Sequence, residues 1–466
     1  MKTKHTYSYH SFFFPFVWDN AGKMDFVTYL KKVEESGWNC NDVRNFSEID
    51  SDSVADYAAV QYFTDAAKKS LFGWNADFVR CYRSKRTDQN ARYIIEKGKK
   101  SWNLRLLSIQ LKIYNTGIGI LCFETANDDA CTLTDVKAIN EYGRRIFPPY
   151  TAKEGCSRCA DRLGIFVQNA EFCENIATKI PSSSLDCIPN FICQLLPSGV
   201  PIQSAIDDRM YISCLVNDAA SFSFLKEYQT NETASQSLYE LIFTDLEGTC
   251  SCPTQDVRET QLERVLYRRW LEQLSEDGTV CGTLYAVTRH SFFCMTASED
   301  PLLPEHSFRA IYTPMATMVL SQRATILSLD NMVSHLSNGF GQKNARLTRK
   351  QIRTLQQLQG KHIGFLNQHM NIEVTCQEQG IELYEMLQQE MNVNREAESI
   401  CNEIERLSDA ANTANDNFLT ILATVLASAL VFLQPVAETV FQWIPLYYLS
   451  TIALAVVIII LVFKKR

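Results

Sequence analysis

The C-terminal segment constrains this chain more than any other. Phe418–Ala437 reads FLTILATVLASALVFLQPVA, Ile444–Phe463 reads IPLYYLSTIALAVVIIILVF, and neither stretch carries a charge. Each is about 20 residues long, which at roughly 1.5 Å per residue would cross a hydrocarbon core of about 30 Å. The linker Glu438-Thr-Val-Phe-Gln-Trp443 is too short for a domain, so the pattern predicts a two-span transmembrane hairpin. The closing Lys464-Lys-Arg466 predicts a cytoplasmic C-terminus, and an even number of spans then puts the N-terminus on the same side. Trp443, Tyr447 and Tyr448 would mark the opposite interface, where amphipathic rings settle. The expected placement is a multi-pass protein of a bacterial inner membrane.

Residues 1–416 are ample for two domains with cores of their own. The apolar run Phe12-Phe-Phe-Pro-Phe-Val-Trp18 is too short for a signal peptide and is broken by Pro15. The cysteines are scattered inside apolar runs such as Leu121-Cys-Phe123, as in a reduced compartment. Cys156-Ser-Arg-Cys159 and Cys250-Ser-Cys252 could together form a zinc tetrad. The second spacing is tight and no histidine supports either pair, so they read as unligated. The net charge of −8 hides segregation: Lys343–Lys361 holds basic residues and no acidic ones, while Glu378–Asp409 is strongly acidic.

The expected fold class is α+β, with a mixed α/β domain over 1–300, long stalk helices over 301–416 and the hairpin over 417–466. Leu107, Ile109, Leu111 and Ile113 alternate as in a half-buried strand. Asn115-Thr-Gly117 supplies a turn, and Ile118–Phe123 a second strand. Thr132-Leu-Thr-Asp135 reads as a helix start, leading to Arg145 and a stop at Pro148-Pro149. Further strands are expected at Met210–Val216, at Ser221–Leu225 and around Leu284–Thr288. His306–Ser337 reads as one long helix ended by Asn338-Gly-Phe-Gly341, and Ala345–Asp416 as almost continuous helix. Ala397, Ile400, Ile404, Leu407, Ala411, Ala414 and Phe418 form a heptad seam running into the first span. A rigid rod packed against copies of itself, and hence a homo-oligomer, is expected; the other reading is that the seam packs inside its own subunit.

Asn417, Thr420, Thr424 and Ser428 trace one stripe on the first span, which predicts a pore lining or a close helix contact. Glu438 would lie at the headgroups or form an acidic ring at the mouth. Arg144-Arg145, closing a helix beside Pro148-Pro149, present two donor forks suited to a phosphate; the other reading is that they counter their own helix dipole. Asn140 lies one turn earlier on the same face, and Asp218, at a strand end, would accept from an amino or hydroxyl group or serve an ordinary turn. No Gly-rich phosphate loop, Gly-x-Ser-x-Gly or His-Glu-x-x-His is present, and His362 and His369 suit packing as well as catalysis. A non-enzyme is expected.

A cytosolic α/β domain, a long helix entering the first of two C-terminal spans and a short basic tail together resemble the CorA family of divalent-cation channels. The family's Gly-Met-Asn motif is missing: the loop here is Pro435-Val-Ala-Glu-Thr-Val-Phe-Gln-Trp443. Asn140-Glu-Tyr-Gly-Arg-Arg145, Pro148-Pro149 and the hydrophobic hairpin before them look like the CorA-like branch that accompanies type III CRISPR systems. That resemblance implies a pentamer-like ring whose pore is lined by Asn417, Thr420, Thr424 and Ser428. It also implies an antiviral effector in which the nucleotide second messenger SAM-AMP binds the cytosolic domain and opens or disrupts the membrane. No cofactor is required on this reading, a divalent cation is possible, and no direct DNA or RNA binding is expected. The alternative is a CorA-type magnesium channel; a membrane-tethered nucleotide-processing enzyme is the third reading.

Overall fold

The computed structural model describes residues 6–19, 24–41, 60–73, 78–147, 158–177, 188–207, 209–246, 254–274, 280–297, 302–337, 349–370, 373–409 and 424. Its frame is one mixed sheet of thirteen strands among these residues: β1 Ser8–Val17, β2 Trp38–Cys40, β3 Val79–Ser84, β4 Arg92–Lys97, β5 Lys100–Tyr114, β6 Ile118–Asn127, β7 Arg162–Val167, β8 Ala170–Glu174, β9 Gln203–Ser204, β10 Tyr211–Asn217, β11 Leu266–Leu274, β12 Val280–Val287 and β13 Ser291–Thr296. The order is β11-β12-β13-β10-β1-β6-β5-β4-β7-β8, with β2 and β3 joined through β5, and β9 at the end of β1. β10 and β13 pair in parallel and the other pairs are antiparallel.

The apolar run excluded as a signal peptide is the central strand. β1 pairs with β6 along its whole length and with β10 from Ser8 to Phe13. Pro15 lacks an N–H, and pairing with β10 ends two residues before it, so no ladder bond is lost on that side. Alternation along β1 gives the sheet two buried faces. His10, Phe12, Phe14 and Phe16 point one way and Tyr9, Ser11 and Phe13 the other, with none of them exposed to any large degree. Gly117 holds φ 98 in the β5–β6 turn, a conformation that favours glycine.

On the even face of β1 lies α1, Leu133–Arg144, capped by Thr132, whose hydroxyl accepts from the Asp135 N–H at 3.1 Å. Gly143 lets this helix approach: a Cβ there would sit 2.7 Å from the Phe12 ring and 2.9 Å from Ile95. In an exposed helix Gly→Ala stabilises by about 1 kcal/mol. Here the clash reverses the sign, and Gly143→Ala is expected to lose roughly 1–2 kcal/mol in thermal unfolding. α2 Ala219–Leu225, α3 Glu232–Ile242 and α4 Gln255–Val265 cover the same side and close a second apolar cluster around Phe222, Leu238 and Leu262. On the odd face, a short helix, Leu302–His306, widens into a π-helix at Ser307–Tyr312 and continues as α5, Thr313–Ser337. α6 Arg349–His369 and α7 Glu378–Glu390 follow, and residues 393–409 form a last helix.

Three expectations are corrected. Ser221–Leu225 is helical, not a strand, because Asp218 caps it by accepting from the Ser221 N–H at 2.8 Å. The almost continuous helix from Ala345 is broken twice. Thr375 bridges to Phe63 between α6 and α7, and Asn392, at φ 55, turns the chain between α7 and the last helix. The third concerns the membrane: among the described residues no helix is long and apolar enough to cross one, which overturns the multi-pass inner-membrane placement and the transmembrane-hairpin part of the fold class. The two predicted spans, 418–437 and 444–463, lie outside the described residues but for Thr424, and the two longest helices that are described carry charge. α5 carries Arg323 and Asp330 and packs its apolar side into the body, and α6 is strewn with Arg and Lys. Asn417, Thr420, Ser428 and Glu438 lie outside the described residues; Thr424 is helical and exposed.

Contacts divide the chain into two units, Met1–Asn338 with Arg353–Ile404, and Gly339–Ile352 with Glu405–Arg466. Within the first, Ala397, Ile400 and Ile404 are 5%, 4% and 3% exposed, so this part of the seam is covered by its own chain. The uncovered seam that argued for self-assembly is therefore not there over 397–404. Ala411, Ala414 and Phe418 lie outside the described residues.

Candidate functional site

The last turn of α1 carries Glu141, Arg144 and Arg145. Their spacing brings both guanidiniums back to one carboxylate: Arg144 Nη2 donates to Glu141 Oε2 at 3.1 Å, and Arg145 Nε to Oε1 at 2.6 Å. All three side chains are buried. Arg144 Nη2 also donates to the Thr244 carbonyl at 2.9 Å. Thr244 is a β-branched residue at φ 52, a strained setting for an acceptor. Arg145 then bridges to Arg209, which fixes the segment entering β10.

Around this turn, distant parts of the chain supply more charge. Arg209 donates to Asp207 through Nε at 3.0 Å and Nη2 at 2.6 Å. Arg289 and His290 sit at the β12–β13 turn, where Arg289 Nε donates to the Glu390 carbonyl at 3.2 Å. Arg323 of α5 donates to the Arg289 carbonyl at 3.0 Å. Among the described residues, five guanidiniums (Arg144, Arg145, Arg209, Arg289, Arg323) gather with three carboxylates that pair with or act on them (Glu141, Asp207, Glu396).

The titration of the groups reports burial first and crowded positive charge second. Arg144 is held down to about 10, because burial outweighs the adjacent Glu141, with Arg209 and Arg145 also disfavouring its charge. His290 falls to about 4, first through burial, then through Arg209 and Arg144, although Asp207 lies 3.9 Å away. Arg323 is lowered by burial and by Arg289. Arg144 Nη1 has no hydrogen-bond partner among the described residues, and neither does the buried Tyr211 hydroxyl, which lies within electrostatic reach of Arg323. A crowd of guanidiniums that leaves a buried donor unmet is suited to an anion. Arg144 is sealed, whereas Arg209 and His290 keep side-chain exposures of 27% and 38% and Arg289 is exposed, so a ligand would meet these and feel Arg144 through a low dielectric.

The sequence singled out four ligand residues, of which this arrangement brings together Arg144 and Arg145. Asn140 faces β1 instead, where its Oδ1 meets His10 Nδ1 at 2.7 Å. Ser8 Oγ lies 2.9 Å from His10 Nε2, so Ser8, His10 and Asn140 imitate a nucleophilic triad. All three are 0% exposed and no substrate reaches them. Asp218 caps α2 beyond the far end of β10, a strand roughly 20 Å long whose opposite end Arg209 enters. His369 is core, with Nε2 at 2.6 Å from Ser321 Oγ. Cys159 is buried and donates to the Phe147 carbonyl, while Cys156, Cys250, Cys252, Pro148 and Pro149 lie outside the described residues. No group of three His, Cys, Asp or Glu among the described residues could hold a metal.

Arg209, Arg289, His290 and Arg323 were missed by the sequence reading. One of them had left a signal: Arg323 is the sole charge between Thr313 and Leu329, inside an otherwise apolar helical run. A charge so placed is paired or functional. The others sit in turns beside strands and carry no pattern of their own. No family model matches the chain, and no curated protein matches it either.

Proposed function

We propose that this protein is a sensor that binds a phosphate-bearing ligand of the nucleotide class at the arginine cluster, without turning it over. The observation that carries the reading is the convergence of five guanidiniums around the unmet Arg144 Nη1. SAM-AMP is the ligand that the CorA-like resemblance supplies, and type III CRISPR defence is the setting that it implies. Both enter here on that resemblance alone, as does assembly into a homo-oligomer. The channel alternative rests on C-terminal spans and is not carried forward.

The cluster also suggests how binding would be felt. Arg323 reaches back to the β12–β13 turn, and Arg289 of that turn holds the Glu390 carbonyl at the end of α7. Glu390 is gripped in addition by Arg264 of α4. Two residues later Asn392 turns the chain into the last helix. An anion that draws Arg289 and Arg323 toward itself would loosen this grip and re-aim residues 393–404. Binding shifts such an equilibrium only by its preference for one arrangement.

Calorimetry of the full-length protein with SAM-AMP, ATP and AMP tests the reading. Arg209→Ala and Arg323→Ala are each expected to weaken binding about tenfold or more, the loss of one charge-assisted contact. The recovered ligand should be chromatographically intact. Binding of no phosphate-bearing nucleotide, or equal affinity in both variants, would remove the proposal.

A further inference from the structure

A second site lies on the odd face of the sheet, in a cleft of about 480 Å³ counted out to its solvent mouth, between β1, β5, β6 and the start of α5. It is independent of the arginine cluster and of the function proposed there. Its apolar lining is Phe13, Ile120 and Pro314; its polar lining includes Ser11, Gln110 and Lys112. The charges are distributed unevenly. Glu124 is fully engaged: Oε1 takes Arg309 Nε at 2.9 Å and Nη2 at 2.6 Å, and Oε2 takes Ser108 Oγ at 2.8 Å and Gln110 Nε2 at 3.5 Å. Lys112 faces no carboxylate among the described residues. Its Nζ donates to the Leu71 carbonyl at 3.0 Å, which leaves ammonium donors over for the cleft. The neighbouring Cys122 thiol is buried and pushed well up, so it stays protonated and offers no nucleophile.

A second observation marks this place. The helix on the rim widens to π geometry at Ser307–Tyr312, beside the cleft, and irregularities of that kind concentrate at functional sites. The π segment aims Arg309 across the rim, where it joins Glu124 and Glu305 and lies 4.7 Å over the Tyr9 ring. The rim thus joins one guanidinium to two carboxylates, and among the described residues neither carboxylate pairs with Lys112 on the floor.

The geometry points to a binding site for a small carboxylate with a short apolar tail, the carboxylate on Lys112 Nζ and the tail against Phe13, Ile120 and Pro314. A fixed ammonium beside apolar walls selects an anion over a neutral or cationic molecule of the same shape, because only the anion compensates a partly desolvated charge.

Butanoate, butan-1-ol and butan-1-amine, titrated into the full-length protein and followed by ligand-observed NMR, distinguish the outcomes. Butanoate should bind about tenfold or more tighter than the other two. Lys112→Met, which keeps most of the stem, should abolish that preference, and Arg209→Ala should leave it intact. Gln110→Trp, at a half-buried rim position, should shut the cleft with Lys112 in place, which covers the case in which the lysine variant does not fold. No butanoate binding, equal binding of the alcohol or amine, or unchanged binding in either cleft variant overturns the proposal. Butanoate binding that is lost in Arg209→Ala instead assigns the carboxylate to the arginine cluster, and overturns it equally.

Discussion

Replacing Glu141 by alanine is expected to lower the unfolding free energy by about 3–5 kcal/mol, the cost of leaving buried charge without its partner. One carboxylate at 1% exposure serves Arg144 and Arg145, whose side chains are 3% and 7% exposed. Removing it strands both guanidiniums in a place where burial already disfavours the Arg144 charge. Urea unfolding at constant slope measures the loss as a shift in midpoint. Glu141→Gln retains one acceptor oxygen and should lose less. The pair Glu141→Gln with Arg144→Met should recover part of the deficit, since one stranded charge goes with its partner. A loss below about 1 kcal/mol for Glu141→Ala would mean that water reaches these arginines and that the cluster is not the desolvated site described here. The same variants separate stability from binding. Phosphate or sulfate should raise the thermal midpoint of the native protein by occupying the cluster, and should raise it less in Arg209→Ala.

Mild acid should destabilise the protein by about 4 kcal/mol between pH 7.5 and pH 5 through two fully buried imidazoles, with the part-exposed His290 adding a smaller, solvent-screened share. His10 is lowered to about 4 by burial, against the raising effect of Asn140, and His369 to about 3 by burial and Lys112. Both stay neutral in the folded state throughout this window, while the unfolded chain takes up a proton on each near 6.5. The unfolded state then binds more protons, so stability falls as pH drops below about 6.5 and continues to fall until the folded values are reached. Each histidine contributes about 2 kcal/mol at pH 5. The lowered carboxylates Asp25, Asp135 and Asp161 act the same way, but only below their unfolded value of 3.8, outside this window. Urea midpoints at the two pH values check the sum, and His369→Gln should remove about half of the slope. A flat profile would mean that these imidazoles accept a proton inside the folded protein.

The parts of the fold legible in advance are those in which near neighbours along the chain decide. The alternation of Leu107, Ile109, Leu111 and Ile113 became β5, because a period of two buries every second side chain whatever lies opposite. Asn115-Thr-Gly117 became its turn, and Thr132 capped α1 through its own hydroxyl. Ser221–Leu225 failed for a local reason of the same kind. The alternating phenylalanines suggested a strand, but Asp218 satisfies an orphan N–H of a helix start, and that cap outweighs the pattern. The central position of β1 was not legible, since an uninterrupted apolar run fits a buried strand, a helix or a leader equally well.

The sequence by itself determined β5, β6, β10 and β12, the Thr132-capped start of α1 and the placing of Arg144 with Arg145 on one turn. Tertiary structure alone decided where those arginines point. It turned them inward onto Glu141, gathered Arg209, Arg289 and Arg323 around them from three other segments, and covered Ala397, Ile400 and Ile404 within their own chain. The reason is one of range. Backbone conformation is settled by sterics and hydrogen bonds within a few residues, whereas burial and electrostatic potential depend on which distant segments the packed sheet brings within a few ångströms.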